Sequence, residues 1–545
     1  MDRRSRLVLL TVLGAGVFLA GLELMITAVA LPSIVTDLAS WSALREASWI
    51  INAYLLAYVV TMPLAGRLAD QWGVRRLFLG GIALFTLGSL LAGLAPSLEA
   101  LIGARVVQAI GGGILVPVGT AAASHLFHDH DRPRALGVIG ALTFLGMAAG
   151  PFVGAWIIGG IRPAAALDGA GILDGPLRTA LEASWRYVFY LNVPIGIACL
   201  AVAWAAAHGW ETPRRAGSLD LPGAVAFSLA LGLALVATTL AGSEQIADRD
   251  PATVIGGLAV AAALSGVLAA RMGIRHPTGF LDIRLFRSTT FSSAALVSLL
   301  TGYGLATAIV GGAVFVDRVL YGGPDAQRVA LGALAGATAL GALGSGFALR
   351  AAGLRAVTLV GLGLSTIALA RMGAWTPVTS LTEVAGWMAA FGLGFGLTVT
   401  PRSTAAIDAL GSAAFGVASA TVTVARMIGM AVGLAALTAF GSTTIDRLTR
   451  EVYATPDAYR QFIPEALRDR PLRDGLVVQA LEDWASGEAA RILVGVFFVA
   501  ALISALAIVP ALALRRRRIL ATEAAEATDV ARDDAAPLAE PGGNA

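Results

Sequence analysis

Uninterrupted apolar segments recur from one end of this 545-residue chain to the other. A helix satisfies its backbone hydrogen bonds internally, and about 20 apolar residues in a helix cover the hydrocarbon core of a bilayer. A transmembrane β-barrel would instead show segments of about 10 residues with alternating polarity. Hydrophobic residues make up 57% of the chain and charged residues only 14%. The sequence therefore predicts an all-α polytopic membrane protein, with fourteen transmembrane helices.

The distribution of arginine predicts how these helices are oriented. Loops such as "GRLADQWGVRR", the short "TPRS" at 400–403 and the final "RRRR" at 515–518 contain arginine, whereas alternate loops such as "LAPSLEA" are poorer in it. Short loops rich in basic residues remain in the cytoplasm. We therefore expect a multi-pass protein of the plasma membrane with both termini in the cytoplasm.

Two patterns occur twice in the chain at nearly the same separation, which indicates an internal repeat. The first pattern, repeated after 280 residues, comprises Gly66, Asp70, Gly73 and Arg75, and then Gly346, Arg350, Gly353 and Arg355. The second, repeated after 279 residues, comprises Gly137, Gly150 and Gly154, and then Gly416, Gly429 and Gly433. The two separations agree, so the repeat pairs whole helices of one half with helices of the other.

The repeat predicts a six plus two plus six arrangement. Residues 1–208 and 290–518 would form two six-helix bundles, with two inserted linker helices at 209–289. Apolar residues at helical spacing predict an extended outer segment at 442–488 in the second bundle. Residues 519–545 are too poor in hydrophobic residues to pack, so we expect a disordered cytoplasmic tail.

Several motifs resemble those of one transporter family. "GRLADQWGVRR" resembles the loop signature between the second and third helices of the major facilitator superfamily, and "GMAAGPFVGAW" resembles its antiporter motif in the fifth helix. "LELMITAVALP" is similar to the first-helix signature of the fourteen-helix drug:proton antiporter family, with Glu23 where that signature has Asp. The resemblance implies the major facilitator fold.

Glu23, Arg105 and Arg426 are ionisable residues at similar depth inside apolar segments, where a charge costs at least about 2.5 kcal/mol. They suggest a switchable pair, in which protonation of Glu23 frees an arginine; a permanent salt bridge that only holds helices together is the other interpretation. Arg105 could relay the proton or simply favour the charged form of the acid. Asp317 could be a charge at a helix end or part of a second coupling site.

The loop between the second and third predicted helices is interpreted as a cytoplasmic gate motif, made of Gly66, Asp70, Gly73, Arg75 and Arg76. Asp70 could face a helix N-terminus, where the macrodipole favours an anion. Arg75 or Arg76 could pair with Asp129 or Asp131. A loop that serves only to orient the chain in the membrane is the alternative.

The antiporter motif contains Gly146, Gly150 and Gly154 on one helix face, together with Pro151. Glycines at spacing four allow a partner helix to approach closely, and proline removes a backbone hydrogen bond and bends the helix. Such spacing also occurs in ordinary helix packing. The resemblance implies that this glycine face forms a helix interface that controls leak in an antiporter.

Other classes of function are disfavoured by the sequence. All 39 basic residues are arginine, so a phosphate-binding loop that requires lysine cannot occur and ATP cannot drive this chain. His128 and His130 lie in a polar loop without a further set of ligands, so we expect no metal site. We expect no enzymatic activity, no cofactor and no nucleic-acid partner.

The family resemblance implies a proton-coupled exporter of hydrophobic or amphipathic small molecules or drugs, which works by alternating access on the proton gradient. The first alternative is lipid export with a periplasmic lipoprotein, because residues 415–437 resemble a helix of the actinobacterial triacylglyceride exporters. That branch has an acid at 144 or 145, where this chain has Phe144 and Leu145, so a partner of Arg426 would have to differ. The second alternative is a sensor or scaffold that does not transport.

Overall fold

The computed structural model describes residues 2–38, 49–128, 131–206, 210, 212, 220–241, 251–275, 283–411, 414–452, 458–471 and 473–514. Within these ranges the chain is helical and contains no β-strand. The predicted tail at 519–545, the side chain of Asp129 and the arginines at 515–518 lie outside the described residues. The predicted all-α architecture is confirmed for the part that the structure describes.

The long helices follow one another in the order of the predicted segments. The first six are α1 (Arg3–Leu38), α2 (Trp49–Trp72), α3 (Val74–Gly93), α4 (Leu98–Leu126), α5 (Arg132–Gly160) and α6 (Asn192–Ala206). They are followed by α7 (Leu221–Ala241), α8 (Pro251–Arg275), α9 (Thr289–Ala306), α10 (Gly323–Met372), α11 (Leu381–Leu410), α12 (Phe415–Val452) and α13 (Gly475–Leu506). Short helices Pro163–Gly169, Pro176–Leu181 and Arg186–Tyr190 connect α5 to α6, and α9 continues to Val319 through two π-helical turns.

In the described ranges, twelve helices are long and apolar enough to cross a membrane, with α10 counted once. A straight helix of the 50 residues in α10 would be about 75 Å long, more than twice the thickness of a hydrocarbon core. Its helical geometry is interrupted at Gly353, where φ is 79° and ψ is 170°. The break divides α10 into two segments, whereas the total of fourteen crossings stays a prediction.

Replacing Gly353 by Ala should lower the thermal stability of the purified protein. No atom of the described residues lies within 4 Å of the added methyl group, so the cost comes from the backbone conformation, which only glycine adopts readily and which strains other residues by about 1–3 kcal/mol. Gly363→Ala is the matched control, because it lies in the same helix with open space and ordinary backbone angles. Equal unfolding temperatures for the two variants would contradict this account of the break.

The repeated glycines occupy equivalent places in the two halves. Gly73, which corresponds to Gly353, also has a positive φ of 93°. A Cβ at Gly66 would overlap the backbone of Gly416 in α12, and a Cβ at Gly346 would overlap the backbone of Pro133 in α5. There are therefore two close contacts between the halves, α2 with α12 and α10 with α5, and each half contributes one helix to each contact. The division into domains remains a prediction, but these reciprocal contacts have the symmetry that the repeat implies.

Two further features lie beside the main bundle. Helices α7 and α8 pack on each other, and α7 also contacts α2 and α12. The 38 residues of α12 correspond to about 57 Å of helix, which exceeds the thickness of a hydrocarbon core. Beyond it, on the predicted outer side, a small core contains Tyr459, Ile463 and Val477. The predicted outer segment thus contains packed structure in its described part.

Candidate functional site

The carboxylate of Glu23 is completely buried inside the first half of the protein. It forms an ion pair with Nη1 of Arg105 in α4. It also accepts hydrogen bonds from Nδ2 of Asn192 in α6, at 2.7 Å, and from the hydroxyl of Thr27, at 3.0 Å. Donors from three helices therefore converge on one acid, and loss of its negative charge would weaken all of these contacts.

The guanidinium of Arg105 is held from several sides. Its Nη1 donates to Oε1 of Gln108 at 2.6 Å, and its Nε donates to the carbonyl of Ile50 at 3.3 Å. The amide of Gln108 in turn donates to the hydroxyl of Ser89 at 2.7 Å. The ring of Tyr54 lies 3.9 Å from the guanidinium carbon, a distance at which the ring face attracts a cation. This network fixes the position of the cation opposite Glu23.

The structure brings together only some of the predicted proton-coupling residues. Glu23 and Arg105 form one cluster, whereas Arg426 lies over the ring of Phe144, with 5.6 Å between guanidinium carbon and ring centre. Asp317 lies at the far end of the α9 segment, partly exposed and 3.3 Å from Arg318. Arg426 and Asp317 are therefore not partners of Glu23 in this structure, and Asp317 has the position of a charge at a helix end.

Sequence reasoning missed two residues of the site and misplaced one segment. Asn192 and Gln108 belong to the Glu23 network, and the available signal was an amide within an apolar helix. The prediction that "TPRS" forms a cytoplasmic loop is wrong. Helix α11 continues through Pro401 to Leu410, so Arg402 lies inside the helix and is 1% exposed. Proline weakens a helix but does not end one that neighbouring helices support.

A small cavity of about 40 Å³ lies between the two halves. Both halves contribute to its wall, which combines apolar side chains, hydroxyl groups and two arginines. The lining residues are Val116, Thr120, Leu136, Ile139, Gly140, Thr143, Phe144, Ser298, Val399, Arg402, Ser403, Val422, Thr423 and Arg426. This volume is enough for water but not for a transported molecule.

The two halves meet closely on the predicted cytoplasmic side. The carboxylate of Asp70 accepts hydrogen bonds from the backbone N–H groups of Gly416, at 2.8 Å, and Val417, at 2.9 Å. These groups belong to the first turn of α12, where unpaired N–H groups and the helix dipole favour an anion. Arg132 in α5 also pairs with Asp408 in α11 at 3.0 Å. Charged contacts thus hold this side closed.

The remaining residues of the loop motif lie around this contact. Gly73 separates α2 from α3, Arg75 is half-buried, and Arg76 is exposed. Asp131 lies 3.6 Å from Arg134, and Asp129 is outside the described residues. A pairing of Arg75 or Arg76 with Asp129 therefore stays a prediction.

Replacing Asp70 by Asn should increase opening on the predicted cytoplasmic side. The neutral amide has one oxygen for two N–H donors and no charge to interact with the helix dipole, a loss of about 1 kcal/mol or about fivefold in population. The rate of maleimide labelling at Ser403→Cys, in a Cys199→Ala background, reports access to the cavity. Asp131→Asn is a control at an exposed acid of the neighbouring loop. Equal labelling rates in Asp70→Asn and the unsubstituted background would contradict a role of the Asp70 contact in keeping this side closed.

The glycine face of α5 packs directly on the part of α1 that carries Glu23. A Cβ at Gly146 would overlap the carbonyl of Phe18, and a Cβ at Gly150 would lie 2.9 Å from the carbonyl of Leu22. A Cβ at Gly154 would press on Ile26. Pro151 lies within the same stretch of helix. The antiporter motif therefore forms the surface against which the acidic helix is positioned.

A second, larger pocket opens at the side of the bundle. Its volume is about 370 Å³, and its lining is mainly apolar. It is bounded by α2, α7, α9 and α12, with lining residues that include Pro63, Phe227, Leu296, Val424 and Ile428. Such a pocket has the size of a site for a drug-sized or acyl group.

A sequence profile described as Major Facilitator Superfamily matches residues 13–434. The chain belongs to the Major Facilitator Superfamily. It is 31% identical over 478 residues to a triacylglyceride transporter of Mycolicibacterium hassiacum, with 84% of each chain covered. It is 28% identical over 456 residues to a multidrug resistance protein B homolog of Mycobacterium tuberculosis, covering 81% of this chain and 78% of that protein.

Solved structures agree with this family. A bacterial homolog of the human lysosomal transporter Spinster superposes with a TM-score of 0.55 at 18% identity, covering 94% of this chain and 99% of that one. At this identity the likeness shows the fold alone. The predicted major facilitator fold is confirmed, and the protein is a multi-pass membrane transporter rather than an enzyme.

Proposed function

We propose that this Major Facilitator Superfamily protein exports hydrophobic or amphipathic molecules in exchange for protons. The observation that carries the proposal is the fully buried carboxylate of Glu23, which is bound by Arg105 and Asn192. A buried ion pair is stable only while both charges are present, because each charge has lost its hydration. Protonation of Glu23 would therefore release Arg105 and change how α1, α4 and α6 pack.

Helix contacts connect Glu23 to the interface between the two halves. Glu23 is in α1, whose neighbouring turns touch the glycine face of α5, and α5 lines the cavity and contacts α10 of the other half. A change in the packing of α1 is thus transmitted to the interface between the halves. This contiguity supports coupling between protonation and alternating access.

The apolar pocket beside α7 supports hydrophobic or amphipathic cargo. It opens at the side of the bundle, between helices of both halves, so a molecule dissolved in the bilayer would reach it without crossing water. Both drugs and lipids fit this description. Lipid export is the second candidate, favoured by the similarity to a protein named as a triacylglyceride transporter. A periplasmic lipoprotein partner belongs to that candidate.

Reconstituted vesicles test the proposal. With an imposed proton gradient, the purified protein should move a fluorescent amphipathic dye or a labelled triacylglyceride, and an uncoupler should stop the movement. Addition of cargo without a gradient should release protons, which a sensor or scaffold would not do. Lipid movement without dye movement would favour the second candidate, and movement that ignores the uncoupler would overturn proton coupling.

A further inference from the structure

The central cavity is lined by two arginines and, among its described residues, by no acid. Arg402 of α11 and Arg426 of α12 both line it, and they are 1% and 8% exposed. Among the described residues, neither has a carboxylate within ion-pairing distance, and the lining residues include no Asp or Glu. The guanidinium group is charged at any physiological pH. Two permanent positive charges therefore face one small space.

The contacts that these arginines do make leave hydrogen-bonding capacity unused. Nη1 of Arg402 donates to the hydroxyl of Thr301 at 2.6 Å, and its guanidinium carbon lies 5.0 Å from the centre of the Phe395 ring. Nε of Arg426 is buried and has no hydrogen-bond partner in the structure. Ring faces and one hydroxyl do not replace a carboxylate, since a buried charge requires both pairing and hydrogen bonds.

Arg105 gives the internal comparison. It is as deeply buried as Arg402, but it is paired with Glu23 and bound by Gln108 and Ile50. Within the described residues, the chain thus provides an acid for the arginine that lies inside one half and none for the two arginines in the space between the halves. This difference is expected when the counter-charge of the second site comes from a ligand.

The rest of the cavity wall also fits such a ligand. The hydroxyls of Thr143, Ser403 and Thr423 already donate to backbone carbonyls of their own helices, so the arginines are the principal donors left for an anion. Phe144, Val399 and Leu136 provide an apolar surface beside them. Positive charge next to apolar wall matches a molecule with an acidic head and a hydrocarbon tail.

We propose that Arg402 and Arg426 bind the carboxylate or phosphate head of an anionic amphiphile, and that such amphiphiles are cargo of this transporter. This inference rests on the proposed export function and specifies the substrate class. The cavity of about 40 Å³ is too small for an amphiphile, so the ligand enters when the two halves move apart. A small free anion could provide the same charge, so the test separates the two sources.

The test uses the full chain in a nonionic detergent and three matched probes. Dodecanoate carries the acid and the tail, acetate carries the acid alone, and dodecanol carries the tail alone. Titration calorimetry and the unfolding temperature report binding. Dodecanoate should bind and raise the unfolding temperature, and both other probes should bind at least tenfold more weakly. Acetate binding as tightly as dodecanoate would make the site a small-anion site, and equally tight dodecanol would make the cargo neutral; either result overturns the proposal.

Variants connect binding to the two arginines. Arg402→Gln and Arg426→Gln should each weaken dodecanoate binding at least tenfold, and Arg318→Gln, at a residue that is 76% exposed, should change it less than twofold. Without ligand, the two Gln variants should unfold at the same or a higher temperature than the original, because each removes an unpaired buried charge. A lower unfolding temperature with unchanged dodecanoate affinity would show a structural role and overturn the proposal.

The export assay keeps the two proposals distinct. Arginine-dependent dodecanoate binding in a protein that fails to export any cargo would leave the site intact and reject export. Proton-driven export that persists in both Gln variants, with unchanged dodecanoate affinity, would reject the site and leave export intact.

Discussion

Glu23→Gln is expected to abolish proton-driven export, with initial rates at least tenfold below those of the original protein at an imposed proton gradient. Glutamine has nearly the same shape as glutamate, so it fills the same space. Its amide cannot bind and release a proton as the carboxylate does, and it does not balance the charge of Arg105. Removal of one partner from a buried ion pair typically costs about 3–5 kcal/mol. We therefore also expect a lower unfolding temperature. Dye or lipid movement in vesicles, recorded against the external pH, measures the first effect.

Two further variants separate coupling from simple stability. Glu23→Asp retains the acid but shortens its reach by one methylene group, and it should keep proton dependence at a reduced rate. Glu182→Gln, at an acid that is partly exposed in the segment between α5 and α6, should leave export unchanged. Export by Glu23→Gln with the same rate and pH dependence as the original would remove Glu23 from the coupling mechanism.

Gly146→Val is expected to stop transport by separating α1 from α5. A Cβ at this position would overlap the carbonyl of Phe18 and press on the backbone N of Leu22, and backbone atoms cannot rotate away. Overpacking of this kind costs about 1–3 kcal/mol or more. Because Leu22 adjoins Glu23, the displacement would also disturb the contacts with Arg105 and Asn192. The unfolding temperature and the export rate together measure the effect.

Gly159→Val provides the matched comparison, since it places the same side chain near the end of α5, where no described neighbour lies within 4 Å of the added Cβ. It should behave like the original protein in both measurements. If Gly146→Val and Gly159→Val have the same unfolding temperature and export rate, close contact between α1 and α5 is not required.

The sequence was most informative about position along a helix. Apolar length predicts where the long helices lie, and residue number predicts that Glu23 and Arg105 lie at similar depth. It was less informative about rotation around the helix axis, because a segment that is apolar on all sides has no face that must point inward. Arg426 therefore lies inside an apolar segment, as predicted, but its neighbour is the ring of Phe144 rather than Glu23.

The other differences follow from contacts that only the folded chain creates. Asn192 reaches Glu23 across 169 residues of sequence, and nothing near either residue indicates this pairing. The arginine of "TPRS" predicts a cytoplasmic loop, but in the folded chain Arg402 is buried inside α11. In contrast, the link between Gly66 and Gly416 was accessible in principle, since both belong to repeated glycine patterns.

The contact of Asp70 with α12 has a consequence for how this protein can change over evolutionary time. Asp70 binds backbone N–H groups, so the contact places no demand on the side chain of Val417. Of the two residues that Asp70 contacts, Gly416 is constrained, because a Cβ there would overlap the carbonyl of Gly66. Residues of α12 such as Thr421, which lines the larger pocket, and Val422, which lines the smaller cavity, lie outside this contact. They are therefore able to diversify for new cargo while closure on this side is inherited unchanged.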